Sequence, residues 1–202
     1  LLMPERPADQ VVAAATAWIR RQPGRWFAWV HLFDPHAPYR APPPYRERYA
    51  ANPYAGEVSW VDHALGPLLE VARKASLPAL VVVTSDHGES LGAHGEATHG
   101  LFAYEETLRV PLIVAATDVG PASLPGRSSW PARHVDVVPT IAASLGLPLP
   151  PGLPGEPLLS PSRRRPEDVS SYFESLSASL NRGWAPLTGV MLGRRKYVDL
   201  PI

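Results

Sequence analysis

LVVVTSDHGESLGAHGEATHG, residues 80–100, is the stretch on which the fold turns. Leu80 to Thr84 is a short, unbroken apolar run dominated by valine. That is the pattern of a strand covered on both faces, as in a parallel sheet. Ser85-Asp86-His87-Gly88-Glu89 follows at once, so polar groups stand at the carboxyl end of a buried strand. Ligands of open α/β sheets bind at that end.

Working outward, Val110 to Ala115 (VPLIVA) reads as another strand, and Val135 to Leu145 as a helix started at Asp136 and Pro139. Upstream, Ala8 to Arg21 reads as a helix stopped by Pro23-Gly24. Arg25 to Phe33 (RWFAWVHLF) reads as a buried aromatic strand, and Asp34 to about Pro53 as a Pro/Tyr loop. Glu57 to Ala75 is expected to be an amphipathic helix with Val58, Val61, Leu65, Leu68, Leu69 and Ala72 on one face. Beyond Gly146 the chain turns Pro-rich and linker-like, with short strands expected at 170–172, 189–192 and 196–198. Strands alternating with helices argue for an α/β layer fold.

Composition narrows the chemistry. The chain has 202 residues and 45% hydrophobic content, enough for a real core. Lys plus Arg equals Asp plus Glu at 19 each, which offers no electrostatic case for nucleic acid. There is no cysteine, so any metal must be held by oxygen and imidazole ligands. No apolar run approaches the ~20 residues of a membrane span. The sequence opens on Leu1 rather than Met and shows no signal peptide, and upstream sequence is expected.

Asp86 and His87 are the first candidates, because an adjacent carboxylate and imidazole can reach one divalent cation. Gly88 is expected to let the backbone turn sharply beside them. The bland alternative is an Asp capping a helix, with Glu89 as its partner. His87, His94 and His99 fall within thirteen residues, among glycines, which points to a built site. His36, in Asp34-Pro35-His36-Ala37-Pro38-Tyr39, is held between two prolines. A histidine so placed can donate a proton to a leaving-group oxygen. His31, His63 and His134 read as structural. Glu105, Glu106 and Arg109 read as local ion pairs, and Trp60, Trp130 and Trp184 as core.

Five collinear segments together resemble the sulfatase family of the alkaline phosphatase superfamily: 29–39 (WVHLFDPHAPY), 56–66 (GEVSWVDHALG), 84–95 (TSDHGESLGAHG), 99–114 (HGLFAYEETLRVPLIV) and 135–141 (VDVVPTI). Residues 170–202 resemble the start of the family's C-terminal subdomain. The resemblance implies an α/β fold, part of a three-layer αβα sandwich with a mostly parallel sheet. It implies residues 1–160 as the C-terminal part of the catalytic domain, and 161–202 as a linker and the beginning of the subdomain. It further implies Asp86 and His87 as metal ligands, and His36 and His99 as catalytic residues at the sulfate and leaving-group oxygen. The implied cofactor is a divalent metal, calcium first, with zinc or manganese as alternatives. The implied substrate is a small-molecule or carbohydrate sulfate ester, and the implied compartment is periplasmic or extracellular.

The family's formylglycine nucleophile comes from a C/S-x-P-x-R motif that precedes these segments, and the chain is expected to be a portion without it, inactive alone. Ser123-Leu124-Pro125-Gly126-Arg127 fits the pattern but falls after the Asp86 loop, and reads as a chance match. The alternatives are a phosphoethanolamine or phosphoglycerol transferase, or a phosphodiester or phosphonate hydrolase, of the same superfamily. An alternative of another class is a non-catalytic remnant that only binds a partner.

Overall fold

A computed structural model describes residues 5–117, 126–159 and 169–199. The chain divides into two compact units, with the division between Ala79 and Leu80. The boundary expected between residues 160 and 161 lies outside the described residues, as do Ser123, Leu124 and Pro125 of the C/S-x-P-x-R-like string.

The first unit is built on two helices, α1 (Ala8–Ile19) and α3 (Pro53–Arg73), with a single turn, α2 (Tyr45–Arg48), before the latter. Ala8, Val12, Thr16 and Ile19 are the buried residues of α1. Their spacing of three and four draws one stripe along the helix. That stripe packs on α3, whose buried residues are Gly56, Glu57, Ala64 and Ala72. Small side chains let the two backbones approach. The helix starts at Pro53, earlier than expected, because the Asn52 side chain accepts the Ala55 N–H at 3.1 Å and Pro53 needs no acceptor. This shifts the buried face. Val58 and Leu69, expected inside, are each 43% exposed, and Glu57 is inside instead.

Pro7 precedes α1 and has no side chain to cap it. The cap comes from 26 residues away, where the Asp34 carboxylate accepts the Ala8 N–H at 3.0 Å. Residues 25–33 are not a strand. Among the described residues nothing forms a ladder with them, and Phe27 and Trp29 are 70% and 82% exposed. A high β-propensity makes no strand without a partner to pair its backbone.

In the second unit β1 (Leu80–Thr84) pairs with β2 (Leu112–Ala116), Leu80 opposite Ala116 and Thr84 opposite Leu112. The pairing of these two strands is antiparallel. A parallel pair needs a crossover helix, and residues 85–111 contain only a 3-10 turn (Ala93–Gly95) and the single turn α4 (Glu105–Leu108). A 3-10 turn (His134–Asp136) leads into α5 (Val137–Ser144), which contacts β1. Asp136 is fully buried at this junction. It takes the Arg133 guanidinium at 2.9 Å and the Glu156 N–H at 2.9 Å.

The last element is an antiparallel meander of β3 (Ser170–Ser175), β4 (Leu187–Leu192) and β5 (Arg195–Asp199), with the short helix α6 (Ser177–Arg182) between the first two. All three strands were expected at shorter lengths. Gly189 faces Phe173, and a Cβ there would lie 2.4 Å from the Phe173 ring. Alternation of helices and strands makes the chain α/β. Trp130 and Trp184 are not core, being 51% and 52% exposed.

Candidate functional site

The exit of β1 is pinned on both sides. The Ser85 carbonyl accepts Nε2–H of His134 at 2.7 Å, and the Gly88 N–H donates to the Thr107 carbonyl at 2.8 Å. Gly88 is required by close approach rather than by a sharp turn, because a Cβ there would sit 2.1 Å from the Glu106 carbonyl oxygen. His134, read as structural, holds the loop that carries Asp86 and His87.

Beyond Gly88 the chain makes a closed loop. Ser90 N–H reaches the Thr98 carbonyl at 2.7 Å, and Gly92 N–H the Glu96 carbonyl at 2.9 Å. Glu96 is 2% exposed and turns inward, accepting the Leu101 N–H at 2.6 Å. Gly100, at φ +95°, completes the reversal, and its carbonyl takes the Ser175 hydroxyl at 2.9 Å. These closures carry His99 back to the β1 exit.

The result brings the rings of His87 and His99 to 4.1 Å between centroids, tilted by 33°. Glu89 joins them, and its carboxylate accepts the Nδ1–H of His99. One ligand atom from each of His87, Glu89 and His99 lies within 4.8 Å of the others. His94, the third histidine of the loop, goes elsewhere. Its ring stacks on Tyr104 at 3.8 Å, and its Nε2 lies 3.6 Å from Glu106.

Asp86 stands at the rim of this cluster. One of its oxygens accepts the His87 N–H at 3.0 Å, and the other lies 3.7 Å from His87 Nε2. Burial pushes its carboxyl up, but the His87 charge, the backbone N–H groups of His87 and Asp86 and the Ser85 hydroxyl outweigh it, and the net displacement is downward. Asp86 is therefore poised as an anion.

Glu89 was missed as a site residue. Its position two residues after His87 was visible, but it was read only as the partner of a helix cap, and no helix starts there. Glu105 forms an ion pair, though not a local one, with Lys196 at 3.3 Å, and Glu106 lies 3.6 Å from His94 Nε2.

His36 belongs to the first unit. Its ring lies 4.2 Å from that of Phe33, and its Nδ1–H donates to the Ala37 carbonyl at 2.7 Å. With Nδ1 so engaged, Nε2 is the ring's other nitrogen. The loop beneath it rests on Asp34 and Glu57. Burial raises both carboxyls above their ordinary values, more than the backbone N–H groups they accept lower them. His63 stacks on Trp60 at 5.9 Å and faces Tyr45 at 5.8 Å, a structural use of all three.

The donor set suits a divalent metal. Two imidazoles and a carboxylate are ligands for zinc or manganese, whereas calcium prefers oxygen ligands. Among the described residues this is the one group of three such side chains with that spacing. No described helix is long and apolar enough to cross a membrane.

The family model described as Sulfatase matches residues 4–147. The choline-sulfatase of Rhizobium meliloti (strain 1021) is 28% identical over 159 residues, a match covering 75% of this chain and 29% of that protein. The phosphoethanolamine transferase EptA of Helicobacter pylori (strain ATCC 700392 / 26695) is 34% identical over 70 residues, covering 33% of this chain and 13% of the transferase. The solved yidJ structure from Bacteroides fragilis superposes with a TM-score of 0.74 at 22% identity, over 95% of this chain and 48% of that one, a likeness of fold. The chain thus spans less than a third of the choline-sulfatase and about half of the solved structure.

Proposed function

The chain belongs to the sulfatase family, and from that premise we propose that it supplies part of the metal and leaving-group site for hydrolysis of a sulfate ester. The observation that carries this reading is the convergence of His87, Glu89 and His99 at the exit of β1. A divalent cation bound there supplies positive charge against the sulfuryl oxygens.

The residues divide the remaining work by their chemistry. Asp86, an anion, and His87 would hold the metal. His99, held at Nδ1 by Glu89, keeps Nε2 for ligating the metal or, as an imidazolium, for donating to a sulfate oxygen. His36, protonated at Nε2, gives a proton to the departing alkoxide or phenoxide, which splits the sulfur–oxygen bond without releasing a strongly basic anion. The reading assigns no nucleophile among the described residues. A small-molecule or carbohydrate sulfate ester is the substrate class.

The test has two parts. Calorimetric titration with zinc, manganese and calcium should show one binding site that is lost in His87→Ala. Hydrolysis of 4-nitrophenyl sulfate by the full-length protein should fall by orders of magnitude in the same variant. A protein that binds none of the three cations would sink the reading.

The EptA similarity supports a second reading, transfer or hydrolysis of a phosphodiester at the same metal. Faster turnover of bis(4-nitrophenyl) phosphate than of 4-nitrophenyl sulfate would favour it. Metal binding with neither activity would favour a module that only binds.

A further inference from the structure

Glu57 is 4% exposed, in the second turn of α3. A carboxylate in such a place must be compensated by hydrogen bonds or by a cation. The partners are two main-chain N–H groups of one loop. Glu57 Oε2 accepts the His36 N–H at 2.9 Å, and Oε1 accepts the Arg40 N–H. One side chain thus grips both ends of the five-residue segment from His36 to Arg40.

Within that grip the segment is closed on itself. The Tyr39 N–H donates to the His36 carbonyl at 3.0 Å, and Tyr39 sits in the left-handed region at φ +53°. The Tyr39 ring meets Tyr54 of α3 edge-on at 5.7 Å. His36 Nδ1–H is held by the Ala37 carbonyl, inside the same loop. The imidazole therefore moves with the main chain, and the main chain is anchored by Glu57.

Gly56, next to Glu57, lets α3 lie close to the α2 turn. A Cβ at this position would lie 3.1 Å from Tyr49 Cβ, tighter than ordinary contact.

We propose that Glu57 is a positioning residue, whose carboxylate sets where the His36 imidazole is presented by clamping the main chain at both ends of its loop. Its catalytic consequence rests on the role given to His36 above. A displacement of about 1 Å in such a group is enough to cost on the order of 100-fold in rate, so a residue that never touches substrate controls the proton transfer.

Glu57→Gln tests this with little change in shape. The amide keeps one acceptor oxygen and replaces the other with a donor, so one of the two N–H groups loses its partner. Amide hydrogen exchange, read by NMR, should speed up about tenfold or more at His36 and Arg40 while α1 and α3 stay protected. The ring nitrogens of His36 should shift in the same spectrum, which a purely structural role for Glu57 would not cause. Unchanged exchange and unchanged ring resonances would overturn the proposal.

If Glu57→Gln loses protection throughout α1 and α3, Glu57→Asp decides. It keeps an acceptor-only carboxylate on a shorter stem and should loosen the loop alone. Melting of both helices there too would make Glu57 a packing group and overturn the proposal. In the full-length protein, His36→Ala and Glu57→Gln should both slow alkyl sulfates more than 4-nitrophenyl sulfate, in kcat rather than KM. If His36→Ala shows this pattern and Glu57→Gln does not, positioning is overturned and the role of His36 stands. If His36→Ala lacks the pattern, the leaving-group reading of His36 fails, while the exchange data still decide the clamp.

Discussion

Glu89, with a side chain only 6% exposed, accepts the Nδ1–H of His99, ten residues further along the chain. That single bond converts two unrelated loop positions into an oriented pair, because an imidazole that donates from Nδ1 can ligate or accept only through Nε2. His87 then lies against the oriented ring. The cluster is a product of loop closure, and several of its properties can be measured.

Metal binding should stabilise the fold. Zinc or manganese at about 100 times its dissociation constant adds about 2.7 kcal/mol if it binds the native state alone. Thermal unfolding with and without metal should show an upward shift in Tm, reversed by a chelator. In Glu89→Gln the affinity should drop about 10- to 100-fold, as for loss of a group that orients a ligand. An unaltered affinity in that variant would show that Glu89 takes no part.

Gly88→Ala should be destabilising although the residue is not in the left-handed region. Its new methyl would lie 2.1 Å from a backbone oxygen of Glu106, which cannot swing aside as a flexible side chain can. Overpacking of this kind costs about 1–3 kcal/mol. Urea unfolding of the variant should show a midpoint lowered accordingly, with metal affinity reduced as well because the loop must shift.

Asp136→Ala should be among the most damaging substitutions in the second unit. It leaves the Arg133 guanidinium, with a side chain 16% exposed, without its buried partner. It also strands the N–H of Glu156. Breaking one side of a buried pair costs about 3–5 kcal/mol. A loss below about 1 kcal/mol by urea unfolding would contradict the burial seen here.

The carboxyls of buried Glu57 and half-buried Asp34 in the first unit make a signed pH prediction. Asp34 and Glu57 both have carboxyls raised above their ordinary values of 3.8 and 4.5, chiefly by burial. The native state then binds these protons more tightly than the unfolded state. Their contribution to stability is fully present below the ordinary values and is lost as pH rises through the raised ones. In Glu57→Gln the slope of unfolding free energy against pH, measured in urea from about pH 4 to 7, should become less negative. A more negative slope would reverse the assigned direction.

Much of this protein is legible in local pattern. The valine run of β1 is a strand with the bounds its composition implies, and α1 begins where expected because its apolar stripe repeats every three to four residues. The adjacency of Asp86 and His87 at a strand exit is likewise a local fact. Arg25 to Phe33 went wrong for the converse reason. Its aromatic run has strong strand propensity, but a strand exists only through hydrogen bonds to another segment, and residue order does not say whether that segment is at hand.

The arrangement of the candidate site belongs to the second kind of fact. Spacing and composition alone do not distinguish His99, which returns to His87, from His94, which stacks on Tyr104, although the family resemblance singled out His99. The choice is made by the Ser90–Thr98 closure, the inward turn of Glu96 and the reversal at Gly100. The same holds for Glu57, whose place at the start of an expected helix gives no sign of the His36 loop that its carboxylate holds. Periodicity records which face of an element avoids water, because burial is a property each residue carries with it. Which polar groups meet is set by backbone hydrogen bonds between distant segments, and those form only when the whole chain has closed.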